Sequence, residues 1–329
     1  MSSIYYILSE RFDYSRLICD DAGPGFARRH GWQTVPLTAA HTVATKPHVF
    51  DNRLTDGELS ALAGHVAAFP RQPVFIKVVD PQLTAIAQPF YQEVLSLVWR
   101  PNVQLVGPYH TTGITALAGR IAGREIYHFL PYAYDRTREQ PIECQGNRRR
   151  KRKLLLSGPL APAVYPDRWR VYKAQRRRLW AIGMVKHLKH PGYPDIGMRP
   201  KHCITGENFL EFASGYAAMW VDPSAEGLEL LKYCDCAYAG CAPFGVAAAT
   251  LPAAASAEIW SVSPATEARS MRAGLSRGLE ELAASAARYR AALRVERDPD
   301  CWNRRFVEWW KAAKARLAQH NLKIGCRTD

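Results

Sequence analysis

Short apolar runs that alternate with amphipathic stretches constrain the fold of this chain more than any other feature. In the first half these runs are rich in β-branched and aromatic residues, as is typical of strands buried on both faces. The strands predicted there are Ile4–Leu8, His48–Phe50, Val74–Val79, Val103–Val106 and Glu125–Leu130. Apolar residues recur at helical spacing in the stretches between these strands, and one such stretch begins at Thr55, which is predicted to be an N-cap. Strands that alternate with helices predict βαβ units and a parallel sheet.

The composition changes between Asp135 and Lys153, where the chain becomes polar and then strongly basic. We interpret this stretch as a domain junction. The α/β pattern then starts again at the apolar run Leu154–Leu156. The elements predicted after it are a helix over 169–190, a strand over 218–221, a helix over 226–238, an Ala-rich segment over 246–257, and C-terminal helices.

The charge of the chain favours anionic partners. The 329 residues carry a formal net charge of +14, which suits a nucleoside diphosphate, nucleic acid or an anionic membrane surface. No apolar run is long enough for a transmembrane helix, and the N-terminus does not resemble a signal peptide, so we expect a cytoplasmic protein. The basic run Arg148–Lys153 is interpreted as a solvated linker, a surface for an anionic acceptor or membrane, or a phosphate contact.

The eight cysteines include no CxxC pair and no spacing typical of a zinc site. Cys234, Cys236 and Cys241 form the densest group, inside a stretch of small and apolar residues. Free cysteines in such a setting behave as small hydrophobic residues. We therefore expect reduced, packed thiols and no metal site.

The segment Gly227–Gly245, GLELLKYCDCAYAGCAPFG, contains one acidic residue among small ones and is predicted to form a helix that ends at Gly240 and gives way to a turn. It resembles the nucleotide-sugar-binding helix of group-1 glycosyltransferases with the GT-B fold. The most similar subgroup contains spore-maturation and glycan-decorating transferases, with the pattern Lys-Tyr-Phe-Glu, small residues, Ala-Gly, a small residue and Pro. Lys232, Asp235 and Gly240 match positions of that pattern.

In that family the acidic residue of the helix binds the ribose hydroxyls, and the resemblance gives this role to Asp235. Asp stands where Glu is usual, so its reach is one methylene shorter, although a carboxylate can still accept from both hydroxyls. The family often has a second acidic residue upstream, near which Glu226 and Glu229 lie. The alternative interpretation is a buried amphipathic helix with a solvated Asp.

A second candidate site begins at Ser157-Gly158-Pro159, where a strand ends in a small loop that can direct backbone N–H groups at a phosphate. In the resembling family this loop meets the diphosphate, and a Tyr-Pro-x-Arg step opens the next helix. That step places Arg168 near the diphosphate, with Lys173 as a weaker candidate. A Walker loop is excluded because its spaced Gly-Lys-Ser/Thr is missing. The alternative is an ordinary turn after a strand.

The sequence from His190 to Tyr193 matches a His-Pro-Gly-Tyr step that lines the donor cleft in the same family. It also fits a plain Pro-Gly turn with an exposed aromatic ring. In the first half, His110 follows a predicted strand and can orient an acceptor or act as its general base, although a loop His is often only solvated. Asp80 and Asp13 are rival candidates for the base of an inverting reaction.

The resemblance implies an α/β chain with the GT-B fold: two facing Rossmann-like domains with the active site in the cleft, and a C-terminal helix that packs back on the N-terminal domain. The implied domains are 1–150 on the acceptor side, 151–300 for the nucleotide sugar, and 301–329 as the returning helix. Trp302, Trp309 and Trp310 are then core residues of that helix.

The implied function is transfer of a sugar from a nucleoside-diphosphate sugar, with UDP one candidate nucleotide, to an acceptor hydroxyl. No metal or other cofactor is required, because fixed cations and backbone dipoles can meet the charge of the leaving diphosphate. The acceptor candidates are modified bases of DNA, as in viral enzymes, a polysaccharide and an anionic lipid. The alternative functions are a non-catalytic nucleic-acid-binding protein and a non-catalytic nucleotide-sugar-binding protein.

Overall fold

The computed structural model describes residues 3–9, 23–79, 83–109, 113–142, 150–177, 183–191, 204–262 and 267–325. The chain divides into two compact units. The first unit combines Met1–Ala133 with Pro299–Asp329, and the second unit is Tyr134–Asp298. Across the described residues, no helix combines the length and the apolar character that crossing a membrane requires.

The first unit contains a six-stranded parallel sheet in the order β2-β1-β3-β4-β5-β6. Its strands are β1 (Tyr5–Leu8), β2 (Gln33–Pro36), β3 (His48–Phe50), β4 (Val74–Lys77), β5 (Val103–Gly107) and β6 (Tyr127–Phe129). The five apolar strands predicted from the sequence are present. Strand β2 was not predicted, because it is an edge strand with mostly exposed side chains and carries little apolar signal.

Helices cover both faces of this sheet. They are α1 (Pro24–His30), α2 (Leu59–Ala68), α3 (Pro89–Leu97), α4 (Gly113–Ala122) and the C-terminal helix (Pro299–Gly325). The first unit also has 3-10 turns at Leu37–Val43, Asp56–Glu58 and Leu83–Ala87, and the second unit has one at Arg136–Arg138. The predicted N-cap at Thr55 is confirmed, since Thr55 and Glu58 form a capping box.

Successive side chains of each strand point to opposite faces, so each face has its own core. One face packs with α2, α3 and α4 around Ile7 and Leu105. On the other face the ring of Phe306, from the C-terminal helix, lies 4.9 Å from the ring of Phe75. The C-terminal helix therefore packs on the sheet of the first unit, and Trp302 and Trp310 are buried there as core residues.

The second unit contains a five-stranded parallel sheet in the order β11-β10-β9-β7-β8. Its strands are β7 (Lys151–Ser157), β8 (Val185–Leu188), β9 (Tyr216–Val221), β10 (Ala242–Gly245) and β11 (Trp260–Ser261). Its helices are α5 (Pro166–Arg177), α6 (Gly206–Ser214), α7 (Lys232–Ala239), α8 (Ala253–Ser256), α9 (Glu267–Ser276) and α10 (Leu279–Glu296). Leu154, Trp220 and Phe244 form part of a core with Val171 of α5 and Met271 of α9.

The prediction of one helix over 169–190 was wrong. Helix α5 ends at Arg177, and Val185–Leu188 forms strand β8, which pairs in parallel with β7. Gly183 has φ +89, in the left-handed region that a helix cannot continue through. Strand β8 lies at the edge of the sheet and has only one buried side chain, so its sequence lacks the apolar pattern that predicts a strand.

The helix predicted over 226–238 starts later, at Lys232. Gly227 has φ +77, and the Ser224 hydroxyl accepts hydrogen bonds from the N–H groups of Glu226 and Leu228, each at 3.3 Å. This side-chain turn competes with helix formation. The turn predicted after Gly240 is a strand, β10, whose register places Pro243 opposite Met219 of β9.

Candidate functional site

The sheet of the second unit reverses its direction of winding between β7 and β9. Strand β8 lies on one side of β7, whereas β9 lies on the other side and leads through α7 to β10. Open α/β sheets bind ligands in the crevice outside the carboxyl ends of the strands at such a reversal. Ser157 ends β7 and Asp222 directly follows β9, so both residues border this crevice.

Gly158 directly follows β7 at this crevice and has φ +97, a conformation that favours glycine. A Cβ atom here would come 2.8 Å from Nη1 of Arg168 and 2.9 Å from Nζ of Lys232. Two cations from different helices therefore meet one position that has no side chain. The Gly158 N–H already donates to the Leu188 carbonyl at 3.3 Å and is not available to an anion. An anion at this position would therefore be attracted by the two cations.

Arg168 is held rigidly by its partners. Its Nη2 lies 2.7 Å and its Nε 3.3 Å from Oδ1 of Asp222, and its Nη1 donates to the Pro159 carbonyl at 3.2 Å. The guanidinium carbon lies 4.1 Å from the centre of the Tyr165 ring. Arg168 and Asp222 are both fully buried, so Asp222 lowers the cost of burying the guanidinium and fixes its orientation.

Lys232 supplies the second cation. It is partly buried at the start of α7, and its Nζ donates to the Ser157 carbonyl. Burial, followed by repulsion from Arg168, lowers the pKa of Lys232 from 10.5 to about 7, although Asp222 and Asp235 act in the opposite direction. A lysine with this pKa is only partly charged near neutral pH and becomes fully charged when an anion arrives.

Asp235 lies close to Lys232. It is in the first turn of α7, three residues after Lys232 and therefore on the same side of the helix. Two histidines complete the surroundings. His187 Nε2 is 3.4 Å from the Gly158 carbonyl, and the pKa of His190 is lowered by burial and by the nearby Lys232 and Arg168.

The structure thus brings together most of the donor-site residues proposed from the sequence. These are Ser157, Gly158, Arg168, Lys232, His190 and Asp235. Sequence reasoning missed Asp222, although a polar residue directly after a predicted strand was a usable signal. Its partner Arg168 is 54 positions away along the chain.

Two other proposed residues lie elsewhere in the second unit. Lys173 is exposed on α5, with its Nζ 4.8 Å from the centre of the Trp169 ring. Gly240 ends α7 in the left-handed conformation with φ +64, ~12 Å along the helix from Lys232. A Cβ atom on Gly240 would come 2.7 Å from Cγ1 of Ile142, so this glycine has a clear role as a helix cap.

The two upstream acidic residues differ in their surroundings. Glu226 is exposed. Glu229 is 2% exposed, and its Oε2 accepts from Nη2 of Arg297 at 2.6 Å and from the Thr250 hydroxyl at 2.7 Å. Glu229 is therefore engaged in a buried ion pair that joins the segment before α7 to the end of α10.

The remaining site predictions, His110, Asp80, Asp13 and Tyr193, lie outside the described residues. In the first unit the sheet also reverses, between β1 and β3. Asp51 directly follows β3 at that reversal, is 1% exposed, and accepts a hydrogen bond from the Tyr6 hydroxyl at 2.8 Å. Sequence reasoning did not select Asp51.

The clustered cysteines are packed thiols, as expected. Cys236 donates to the Cys241 carbonyl at 3.3 Å, and Cys241 donates to the Ala213 carbonyl at 3.3 Å. Burial raises the pKa of Cys241 to about 11. Within the part of the chain that the structure describes, no group of three His, Cys, Asp or Glu residues is placed to hold a metal ion.

Two crystal structures of Anabaena Alr3699/HepE, one in complex with UDP and one in complex with UDP and glucose, are similar to this chain. Each gives a TM-score of 0.56 at 9% sequence identity, covering 95% of this chain and 100% of the other. No protein-family model matches the sequence, and no curated protein is significantly similar to it. The likeness shows the fold, which is an α/β chain of the GT-B type with two Rossmann-like units.

Proposed function

We propose that the chain is a glycosyltransferase that moves a sugar from a nucleoside-diphosphate sugar to an acceptor hydroxyl, and that the second unit holds the donor. One observation carries this proposal: Arg168 and Lys232 converge on Gly158 at the reversal of the sheet, with Asp235 beside them. This arrangement offers positive charge to a diphosphate and a carboxylate to a ribose. The binding of UDP and glucose by Alr3699/HepE, which shares the fold, supports it.

The proposed chemistry follows from where charge develops. As the bond from the anomeric carbon to the diphosphate breaks, negative charge grows on the leaving phosphate oxygens. Preorganised donors at that place lower the barrier, because they need no reorganisation during the reaction. Lys232, fixed by the Ser157 carbonyl, would face this charge directly. Asp222 holds the Arg168 guanidinium in a single orientation, so Arg168 adds to the field at Gly158.

Asp235 would bind the ribose of the donor. An ionised carboxylate has two oxygens and can accept hydrogen bonds from both ribose hydroxyls. On the acceptor side, His110, Asp80 and Asp13 remain the proposed candidates for the base that removes the hydroxyl proton in an inverting reaction. We expect no metal requirement, since fixed cations are available for the leaving group. Modified DNA bases, a polysaccharide and an anionic lipid remain the proposed acceptors.

The test is a transfer assay with a panel of radiolabelled nucleotide sugars and each class of acceptor. We expect one donor to be hydrolysed or transferred, and we expect Lys232→Met to abolish this activity. Lys311→Met removes an exposed lysine of the first unit and is the matched control that should retain activity. Binding of a nucleotide sugar without turnover would instead indicate a binding protein. Retention of nucleic acid with no nucleotide-sugar binding would refute the proposal.

A further inference from the structure

Each of four adjacent strands in the first unit is preceded by a short loop that carries a cation. The strands β3, β4, β5 and β6 are consecutive neighbours in the sheet. The loops that lead into them are 44–47, 69–73, 98–102 and 123–126. Their cations, in sheet order, are Lys46, Arg71, Arg100 and Arg124. Parallel strands begin at one edge of the sheet, so these residues form a row along it, with ~5 Å from strand to strand.

This amino-end edge is the opposite edge of the sheet from the carboxyl ends, where α/β proteins bind their substrates. Further positive charge adjoins the row. Arg120 is exposed in the last turn of α4. The pKa of Arg124 is lowered, first by burial and then by repulsion from Arg316 of the C-terminal helix, so Arg316 lies near this row. The four loops contain one acidic residue, Glu125, against their four cations. Positive charge therefore predominates along this edge.

Large apolar side chains are exposed at the same edge. Trp99 is 59% exposed and Ile121 is 46% exposed. The guanidinium carbon of Arg100 lies 4.5 Å from the centre of the Trp99 ring. Nη2 of Arg124 donates to the Arg100 carbonyl at 2.8 Å, which ties the loops before β5 and β6 together. A fixed indole beside guanidinium groups suits a membrane interface, where Trp lies at the level of the headgroups and Arg contacts phosphates.

A groove with a volume of about 510 Å³ adjoins the row. Its lining residues include Arg120, Arg124, Gly119, Gly123 and Glu125. A Cβ atom on Gly123 would meet no heavy atom within 4 Å, so the wall is open at this glycine. The groove is large enough to admit a phosphate headgroup.

We propose that the amino-end edge of this sheet docks on an anionic phospholipid bilayer, with Trp99 entering the interface and Arg71, Arg100 and Arg120 contacting lipid phosphates. The exposed Ile121 side chain favours this partner over nucleic acid, because a lipid surface can bury both Trp99 and Ile121, whereas the bases of a duplex are stacked inside the helix. Binding strength at such a surface comes from buried apolar area together with attraction to anionic lipids. The inference is independent of the reaction proposed for the chain.

The test is co-sedimentation of the full chain with two kinds of vesicle, phosphatidylcholine alone and phosphatidylcholine with phosphatidylglycerol in equal parts. We expect binding to the second kind only. Since each cation near an anionic surface strengthens binding about fivefold, Arg71→Ser/Arg120→Ser should weaken partitioning about thirtyfold. Adding Trp99→Ser to this double variant should weaken vesicle binding further. All three residues are exposed, and circular dichroism will check that the variants fold.

The control is Arg269→Ser/Arg288→Ser, which removes the same charge from exposed positions of the second unit. It should bind vesicles almost as well as the unaltered chain. Equal weakening in both double variants would mean that net charge alone causes binding, and it would overturn the proposal. Absence of binding to the anionic vesicles would overturn it as well. The proposal would also be overturned if the unaltered chain bound duplex DNA but no vesicles, and if Arg71→Ser/Arg120→Ser abolished the DNA binding.

Discussion

Raising the pH removes the proton from Lys232, and we expect the affinity for a nucleotide sugar to fall with it. In the unliganded chain the pKa of Lys232 is lowered to about 7 by burial and by Arg168. A diphosphate close to Nζ favours the charged form, so binding raises this pKa. Binding above about pH 7 must therefore take up a proton. The affinity should be highest below that pH and should decrease above it.

The size of the effect follows from the pKa. Above the pKa of the free protein, each pH unit weakens binding about tenfold, or about 1.4 kcal/mol, until the pKa of the complex is reached. Between about pH 7 and about pH 9 the Kd should then rise on the order of a hundredfold. UDP-glucose is a suitable probe, because its diphosphate is fully ionised over this range and adds no titration of its own.

The assay is calorimetric titration with UDP-glucose in buffers that differ in ionisation enthalpy, which counts the protons taken up. Lys232→Met should bind weakly, with a Kd that does not change over this pH range, whereas Lys311→Met should behave as the unaltered chain does. A constant Kd in the unaltered chain, with no proton uptake above the pKa of Lys232, would refute the assignment of Lys232 as the cation that meets the diphosphate.

The same pKa makes a prediction for stability. The pKa of Lys232 is lower in the folded chain than its ordinary value of 10.5, so the unfolded chain binds more protons between the two values. The penalty for burying the charged lysine is fully present below about pH 7 and disappears as the pH rises towards 10.5. We therefore expect Lys232→Met to raise the free energy of unfolding at pH values below about 7, by on the order of 1–2 kcal/mol, since partial exposure weakens the effect. Urea unfolding at acidic and alkaline pH measures it, and a gain that persists at high pH would contradict this cause.

Four further variants test the second unit. Arg168→Met leaves Asp222 buried without its cation, and urea unfolding should show a loss of about 3–5 kcal/mol, which Arg168→Met/Asp222→Leu should largely restore; a loss within error of zero would contradict the burial. Asp235→Ala should weaken nucleotide-sugar binding by at least about 1–2 kcal/mol, and unaltered affinity would show that the ribose lies elsewhere. Gly240→Ala forces a side chain into a left-handed conformation against Ile142 and should cost at least about 1 kcal/mol of stability in thermal unfolding; an unchanged melting temperature would argue against the strain.

Much of the architecture could be predicted from the sequence, because strands buried on both faces must be continuously apolar. Strands β1, β3, β4 and β5 have this character and were predicted close to their observed bounds. Strands with polar or exposed residues were missed. The Val-Lys-His-Leu sequence of β8 has only one fully buried side chain, so its composition resembled the helix before it.

The candidate donor site was predicted as separate motifs, each from its local sequence. Ser157-Gly158 was recognisable as a flexible step after a strand, and Lys232 with Asp235 as one turn of a helix. Local sequence could not show that Lys232 donates to the Ser157 carbonyl, 75 positions away. Nor could it show that Glu229, near the spacing expected of a second acidic residue, is paired with Arg297.

By itself the sequence determined the class of the chain: alternating apolar and helical segments build parallel α/β units, because that arrangement buries both faces of each strand. Only the tertiary structure decided which charged groups meet. The order β11-β10-β9-β7-β8 places the end of β9 next to the end of β7, and this neighbourhood pairs Arg168 with Asp222. The physical reason is that strand order depends on interactions between distant parts of the chain, which local propensity and periodicity do not encode.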